Sequence, residues 1–388
     1  MKLVLFLIKK LFISKNSSLV FRLTNLVTII SLSLGVASLN IVMSSIDGFE
    51  SEISKKLSNL NGYSSINHLF EDEIIQNEFD QPFILDKVPY LEKVALLKSK
   101  SDSQSIIIHA YPINDFNKIR LFKSFDTNKI KNESIVVGKR LADNLNLKLG
   151  DQVVIFNPKK LENFSNQNRY DFFTVAHIYN AGIPEFEEKN VFTSLENLQE
   201  FYDIKNSISG WISIDPNDDI IDYPFYEMTI YDKYSSLFEW INTQKWPILF
   251  IFSLIAVVSF FGLLSSLSIL FDEKKMDFTI LKICGLSHES ISKIFIFQSM
   301  ILASIGSTIG ILFSYVLIQL QNEFKLISIE QNIYFVDYLP MEFNFSNSLL
   351  IIIISVILSF IISASSVKRF AYFSPMTVSY THLTLPTK

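Results

Sequence analysis

The residues of this chain that could support catalysis or bind a metal are too scattered to form a known motif. Zinc sites and hydrolase nucleophiles follow short patterns such as HExxH, CxxC and GxSxG, and the sequence contains none of them. The only cysteine is Cys284. The histidines lie far apart in the sequence, at His68, His109, His177, His288 and His382. We therefore predict no catalytic residue and no metal site.

The dipeptide Gly138-Lys139 is similar to the end of a phosphate-binding loop, but its surroundings do not fit. Such a loop needs a glycine five residues before the second glycine and a Ser or Thr directly after the lysine. This chain has Glu133 and Arg140 at those positions. The sequence therefore predicts that the chain binds no cofactor and does not itself hydrolyse nucleotide.

Four long apolar segments dominate the rest of the sequence, at residues 23–46, 246–271, 294–320 and 346–367. Each reaches the ~20 residues that an α-helix needs to cross a ~30 Å hydrocarbon core. Soluble helices rarely stay apolar on every face over that length. The pattern predicts an α-helical membrane protein with four transmembrane helices and a large domain, residues 47–245, inserted between helices 1 and 2.

The distribution of charge predicts which side of the membrane each segment faces. Basic residues flank the apolar segments at Lys2, Lys9, Lys10, Lys15, Arg22, Lys274, Lys275, Lys282, Lys293, Lys368 and Arg369. Lys and Arg in short loops stay in the cytoplasm, so we expect residues 1–22, 272–293 and 368–388 to be cytoplasmic. Residues 47–245 and 321–345 are then external. Residues 1–22 fit an amphipathic helix on the membrane surface and an unstructured basic leader equally well.

The predicted external domain is acidic, with 21 Lys and Arg against 30 Asp and Glu between residues 48 and 245. This charge disfavours a nucleic-acid partner. Strand patterns recur at 94–97, 105–110, 134–137, 152–156, 172–178 and 210–214. Helical patterns cover 138–145 and 194–202, with Ser194 as an N-cap. We expect an α/β or α+β domain with a mixed sheet.

The stretch 272–295, between the second and third apolar segments, has the features of a docking element. Met276, Ile280 and Ile283 fall on one face of a short helix. Gly285 is placed to end that helix in a left-handed cap, and Ser287 can N-cap the next one. A short amphipathic helix at this position suits either a protein partner or the membrane surface, and the residues do not separate the two.

Polar and small residues within the apolar segments need partners other than lipid. Asn25, Thr28 and Asn40 lie in the first segment, and Gln298 lies in the third. Small residues, among them Gly306, allow close helix approach. Packing among the four helices is the simpler explanation of these residues, and a site for a substrate is the alternative.

The 273–287 segment, EKKMDFTILKICGLS, resembles the E-K-x-x-x-[IF]-[AT]-I-L-[KR]-x-x-G-x-[ST] signature of ABC transporter permeases of the lipoprotein-releasing LolC/LolE type, within the MacB/FtsX superfamily. The resemblance covers nearly the whole chain. It includes residues 32–50 at the first apolar segment, 136–156 and 191–202 in the external domain, and Tyr338-Leu339-Pro340.

The resemblance implies a permease subunit of the bacterial inner membrane with a periplasmic domain, which moves lipoproteins to a periplasmic carrier. Its implied partners are cytoplasmic ABC ATPase subunits that use ATP and Mg²⁺, a second permease copy or paralogue, and membrane lipids. The residues implied to couple to the ATPase are Glu273, Lys274, Met276, Ile280, Leu281, Ile283, Gly285 and Ser287. Those implied to form a substrate portal are Ser31, Gly35, Ser38, Asn40 and Ile41.

Two segments depart from the family pattern. The hairpin that would receive the carrier corresponds to residues 157–171, beginning with Asn157, Pro158, Lys159 and Lys160, and it lacks the usual Met-Gly…Pro pattern. Residues 381–388 do not fit the family's ending and are interpreted as a foreign extension. Two alternatives to lipoprotein release stay open: efflux or envelope signalling by mechanotransmission, and a membrane-anchored scaffold, which the 272–295 signature disfavours.

Overall fold

The computed structural model describes residues 19–76, 84, 86–99, 102–123, 133–158, 170–216, 220–330 and 335–370. The chain divides into two compact units. The helical unit comprises Met1–Gly48, Asn242–Leu326 and Pro340–Lys388, and the sheet unit comprises Phe49–Ile241 and Ile327–Leu339. Predictions for residues 1–18, Lys159, Lys160 and 371–388 lie outside the described residues.

Four long helices carry the apolar segments: α1 (Leu19–Asn61), α6 (Ser235–Ile283), α7 (His288–Phe324) and α8 (Phe345–Phe370). All four are long and apolar enough to cross a membrane. Each extends beyond the segment predicted from hydropathy, because a change to polar residues ends a membrane span without ending a helix.

The predicted short helix between the second and third apolar segments is wrong. Residues 273–283 are instead the last three turns of the 49-residue helix α6. Good helix formers such as Lys, Met and Leu fill this stretch, and neither Gly nor Pro interrupts it before Gly285. Pro247 lies further back, inside the same helix.

The sheet unit contains eleven strands among the described residues. They are β1 (Ser64–His68), β2 (Ile74–Ile75), β3 (Val88–Lys98), β4 (Ser103–Tyr111), β5 (Ser134–Gly138), β6 (Gln152–Phe156), β7 (Tyr170–Tyr179), β8 (Asn190–Ser194), β9 (Ser207–Ile208), β10 (Gly210–Ser213) and β11 (Phe225–Thr229). The short helices are α2 (Lys139–Asn144), α3 (Pro184–Lys189), α4 (Leu195–Tyr202) and α5 (Ile230–Lys233).

Nine of the strands form one mixed sheet in the order β11-β1-β10-β3-β4-β8-β5-β7-β6. The pairs β4–β8 and β5–β7 are parallel, and the other pairs are antiparallel. Strand β3 also pairs with β6, so the six strands from β3 to β6 in this order close into a ring. The predicted mixed sheet is confirmed.

All six strands expected from the sequence are present, together with the helix capped by Ser194, whose side chain accepts a hydrogen bond from the Asn197 N–H. The other five strands, β1, β2, β8, β9 and β11, were not expected. Of these, β1 and β8 have polar residues at positions that the fold buries, including Ser64, Asn190 and Thr193. The alternation of polar and apolar residues that indicates a strand is therefore not visible in the sequence of β1 and β8.

Two apolar clusters stabilise the sheet unit. One contains Leu91, Ile108, Val137 and Trp211, from four different strands. The other is aromatic and is centred on Phe192, whose ring centroid lies 4.9 Å from that of Phe122. Burial of aromatic side chains on this scale provides the core that a domain without disulfides needs.

The helical unit is held by close contacts between its helices. A Cβ atom added at Gly35 in α1 would collide with Ser259 in α6, and one added at Gly310 in α7 would collide with the Ser33 backbone in α1. Both glycines therefore allow the helix axes to approach. This supports the packing explanation of the small residues.

Candidate functional site

The segment from Glu273 to Ser287 joins helices α6 and α7 in a tight turn. Gly285 has φ +92°, the left-handed conformation that favours glycine. The Leu286 N–H donates to the Leu281 carbonyl at 3.0 Å and the Gly285 N–H to the Lys282 carbonyl at 3.1 Å, so these two carbonyls in the last turn of α6 are satisfied. The predicted left-handed cap at Gly285 is confirmed.

Helix α7 begins with the predicted N-cap. The Ser287 hydroxyl accepts a hydrogen bond from the Ser290 N–H, and Glu289 lies in the first turn, where its charge complements the helix dipole. Two caps thus fix the direction of the chain between the helices. The capping geometry is local, which is why the sequence could predict it.

The end of α6 has one packed side and one exposed side. Phe278 is buried, with its ring centroid 4.9 Å from that of Phe295 in α7, and the half-buried Leu281 packs against the same cluster. Met276, Ile280 and Ile283 are 54%, 57% and 75% exposed. An apolar stripe of this kind at the end of a helix is a surface suited to a partner.

The charged residues at this end of α6 are arranged beside that stripe. Lys274 Nζ lies 3.2 Å from an Asp277 carboxylate oxygen, one turn further along the helix. Glu273 is half-buried, and Cys284 is exposed next to Gly285.

The residues expected to form a substrate portal lie on α1, and the fold uses two of them for packing. Gly35 is in contact with α6, as described above. Asn40 is 1% exposed and hydrogen-bonded to both α7 and α8: its Nδ2 donates to the Ser314 hydroxyl at 2.7 Å, and its Oδ1 accepts from the Ser348 hydroxyl at 2.9 Å. The remaining three, Ser31, Ser38 and Ile41, are half-buried.

Of the residues expected to dock a carrier, the structure buries one and exposes another. Asn157 follows β6 and is 1% exposed, so its side chain is not available to a partner. Pro158 is exposed.

A cluster of ionisable residues in the sheet unit was missed by sequence reasoning. The carboxylate of Glu92 lies 3.4 Å from His109 Nδ1 and 3.4 Å from Lys233 Nζ, and His109 Nε2 lies 2.7 Å from the Asn190 side-chain oxygen. The three charged or titratable residues come from β3, β4 and α5. Only the sheet topology brings them together, so no spacing in the sequence could have revealed them.

The environment of this cluster sets its charges. Burial lowers the pKa of the His109 imidazole, so His109 is neutral at pH 7. Burial acts to raise the pKa of the Glu92 carboxyl, but the neighbouring His109 and Lys233 lower it overall. Glu92 is therefore ionised beside the Lys233 ammonium. Among the described residues, no group of three or more His, Cys, Asp and Glu could hold a metal ion.

Two family profiles match this chain and together cover most of it. The MacB-like periplasmic core domain matches residues 26–222, and the FtsX-like permease C-terminal domain matches residues 249–375. The first includes α1 from residue 26 onward and most of the sheet unit, and the second includes α7, α8 and the capped turn. The chain belongs to the MacB/FtsX permeases of the LolC/LolE type.

Curated relatives agree with this assignment over nearly the full length of the LolC/LolE-type permease. The lipoprotein-releasing system transmembrane protein LolC of Neisseria meningitidis is 24% identical over 380 residues, 89% of this chain and 91% of the relative. LolC of Buchnera aphidicola is 24% identical over 352 residues, 82% of this chain and 84% of the relative. LolE of Haemophilus influenzae is 22% identical over 393 residues, 91% of this chain and 93% of the relative.

Proposed function

We propose that this LolC/LolE-type permease extracts lipoproteins from the bacterial inner membrane and passes them to a periplasmic carrier, driven by a separate ATPase subunit. The observation that carries the proposal is the match to relatives named as lipoprotein-releasing proteins along about 90% of both chains. A match of that extent includes the four long helices and the sheet unit together. Sharing a single domain would be much weaker support.

The charge pattern supports a membrane topology in which the capped turn faces the cytoplasm. The basic residues Lys274, Lys275, Lys282 and Lys293 surround the turn, whereas the sheet unit is acidic. The sheet unit is then periplasmic, inserted between the first and second membrane spans.

A thiol-labelling experiment tests this topology. Cys284 is exposed and is the only cysteine. A membrane-impermeant maleimide should label it only after spheroplasts are permeabilised. As the matched control, Ile220→Cys in a Cys284→Ser background places an exposed thiol on the sheet unit and should be labelled in intact spheroplasts. The reverse pattern would contradict the proposed orientation.

The end of α6 supplies the proposed contact with the ATPase. Ile283, Ile280 and Met276 present an apolar stripe, and the caps at Gly285 and Ser287 hold the stripe in a fixed direction. A nucleotide-driven movement of the ATPase against this stripe would act directly on α6 and α7. The chain therefore needs no nucleotide site of its own.

For the substrate portal, the structure favours the half-buried residues of α1 over the buried ones. Ser38 and Ile41 are accessible enough to touch an acyl chain, whereas Gly35 and Asn40 are occupied by neighbouring helices. A photo-crosslinker at Ser38 should capture a lipoprotein in an ATP-sensitive manner. A crosslinker at the 62%-exposed Val27 of the same helix is the control and should capture bulk lipid.

Depletion of the chain in its host cell tests the proposed function. Acylated lipoproteins should accumulate in the inner-membrane fraction, whereas a reporter whose acylated cysteine is replaced should be distributed as before. Normal lipoprotein distribution in depleted cells would contradict the proposal and would favour efflux or envelope signalling, the functions open to other members of the superfamily.

A further inference from the structure

One carboxylate oxygen of the sheet unit has two possible partners, and the proposed transport function uses neither contact. Glu92 Oε2 lies 3.4 Å from Lys233 Nζ and 3.4 Å from His109 Nδ1. The lysine ammonium carries donors at neutral pH, whereas Nδ1 of the imidazole is a donor only when it is protonated. The two contacts therefore compete for one oxygen, and proton uptake by His109 changes the balance between them.

The hydrogen bonds of Asn190 fix which nitrogen of the neutral His109 ring carries the proton. Asn190 Nδ2 donates to the Phe186 carbonyl at 2.9 Å, so Asn190 Oδ1 is the atom that faces His109 Nε2 at 2.7 Å. Because an amide oxygen only accepts, Nε2 must carry the hydrogen. Nδ1 of the neutral ring then turns a lone pair toward the Glu92 carboxylate. A proton added at Nδ1 converts this contact between two acceptors into a charge-assisted hydrogen bond.

Burial and the Glu92 charge act on that proton in opposite directions. His109 is 3% exposed, and burial lowers the pKa of its imidazole, although Glu92 acts to raise it. The folded chain therefore takes up the proton below the ordinary histidine pKa of about 6.5. A locally opened form, in which His109 meets water, binds the proton more readily. Acid consequently favours opening of the structure around His109.

Other titratable groups face this cluster from every element around it. Those that line the cavities containing His109 are Tyr90, Glu92, Tyr111, Glu185, Lys189, Lys233 and Tyr234, from β3, β4, α3, α5 and the residue after α5. Burial raises the pKa of the three tyrosines, so they stay neutral. Glu185 and Lys189 are exposed and carry opposite charges. The residues of α1 and β8 in the same lining are uncharged.

Glu92 and Lys233 also line a neighbouring cleft of about 490 Å³. Its other titratable residues are His68, Glu71, Asp72, Glu73, Lys93, Tyr202 and Tyr226. The acidic residues outnumber the lysines in this cleft, so its charge does not oppose a proton on the cluster.

The Lys233 contact is placed where its loss would affect the start of helix α6. Helix α5, Ile230–Lys233, has four residues and is too short to be stable by itself. Its last residue, Lys233, contacts Glu92 of strand β3, and Tyr234 then leads into α6 at Ser235. The Lys233–Glu92 pair is therefore a side-chain link between the sheet and the segment that enters α6.

We propose that Glu92, His109 and Lys233 form an acid-sensitive latch, in which a proton on His109 Nδ1 draws Glu92 away from Lys233 and releases helix α5 from strand β3. At neutral pH the Glu92–Lys233 pair keeps the latch closed. The latch lies wholly within the sheet unit and does not depend on the proposed transport of lipoproteins. Either proposal can fail without the other.

Hydrogen–deuterium exchange of the full-length chain in lipid nanodiscs, read by mass spectrometry at pH 7.5 and pH 5.0, tests the latch. Each exchange rate is divided by the intrinsic rate of the same peptide at that pH, so that only structural protection is compared. We expect the corrected exchange of peptides covering α5 and residues 234–241 to be about threefold faster at pH 5.0, the order of effect of a partly exposed ion pair. Peptides covering β6 should keep their protection.

Three variants assign this response to the latch. His109→Gln keeps a side-chain N–H for Asn190 but takes up no proton, so the acid response of the α5 peptides should disappear. Lys233→Met removes the ion pair and should give about threefold faster exchange of these peptides at pH 7.5. His177→Gln, on strand β7, is the matched control and should respond to acid as the wild-type chain does.

Three results would overturn the proposal. One is equal corrected exchange of the α5 peptides at the two pH values in the wild-type chain. The second is an acid response in His109→Gln as large as in the wild-type chain. The third is wild-type protection of the α5 peptides in Lys233→Met at pH 7.5, which is the deciding result if the apparent Tm shows that His109→Gln does not fold.

Discussion

The side-chain amide of Asn40 donates a hydrogen bond to the Ser314 hydroxyl across 2.7 Å, which joins helix α1 to helix α7. The same amide accepts from Ser348, which joins α1 to α8. We predict that Asn40→Leu lowers the stability of the helical unit by roughly 1–2 kcal/mol, since two interhelical hydrogen bonds of typical strength are lost. The measurement is the apparent Tm of the purified chain in detergent.

Asn25 provides the control for this prediction. It is the same residue type on the same helix, and it is only half-buried. Asn25→Leu should leave the apparent Tm within about one degree of wild type, since surface changes are usually small. Equal losses in the two variants would show that the effect comes from added bulk rather than from the hydrogen bonds.

We predict that Gly285 contributes to stability and to ATPase association through its backbone conformation alone. Its φ is +92°, and a Cβ added there would meet no atom within 4 Å. Gly285→Ala should therefore cost on the order of 1 kcal/mol, and Gly285→Asn less, because Asn adopts left-handed conformations more readily. We expect both variants to weaken ATPase association in the same order, measured by co-purification.

Gly150 offers a matched test of the same argument in the sheet unit. Its φ is +86°, and a Cβ added at this glycine would likewise meet open space. Gly150→Ala should cost similar stability but leave ATPase association unchanged. If Gly150→Ala disturbs the association as much as Gly285→Ala, the effect is one of overall folding.

Two buried tyrosines of the sheet unit should respond in opposite ways to the loss of their hydroxyls. The Tyr111 hydroxyl is buried and has no partner among the described residues, whereas the Tyr179 hydroxyl donates to the Asn190 carbonyl at 2.9 Å. Tyr179→Phe should cost about 1 kcal/mol, and Tyr111→Phe should be neutral or stabilising. Denaturant unfolding followed by near-ultraviolet circular dichroism provides the comparison. An equal loss of stability for both changes would contradict the difference in hydrogen bonding between the two hydroxyls.

Features that depend on neighbouring residues could be predicted from the sequence. The caps at Ser194, Gly285 and Ser287 follow from a few adjacent residues, and the apolar segments of the four long helices follow from composition. The boundaries of those helices could not be predicted from hydropathy, because helix α6 continues through the polar residues after 271.

Features created by tertiary contacts could not be predicted from the sequence. Strand β8 contains Asn190 and Thr193, whose burial becomes acceptable only because His109 and the Ser134 carbonyl provide hydrogen-bond partners. Asn40 illustrates the same limit. The sequence marked it as a polar residue in an apolar segment, but only the structure distinguishes its bonds to Ser314 and Ser348 from exposure to a substrate.

The most direct test of the account is whether a partner ATPase binds the exposed stripe at the end of α6. Ile283→Asp places a charge at a position that is 75% exposed, so folding and membrane insertion should be unchanged. Ile220→Asp, 86% exposed on the sheet unit, is the control. We predict that the ATPase co-purifies with the wild-type chain and with Ile220→Asp but is reduced roughly tenfold or more with Ile283→Asp, because a charge at the centre of an apolar contact is costly. Undiminished co-purification with Ile283→Asp, or no ATPase with the wild-type chain, would contradict the account.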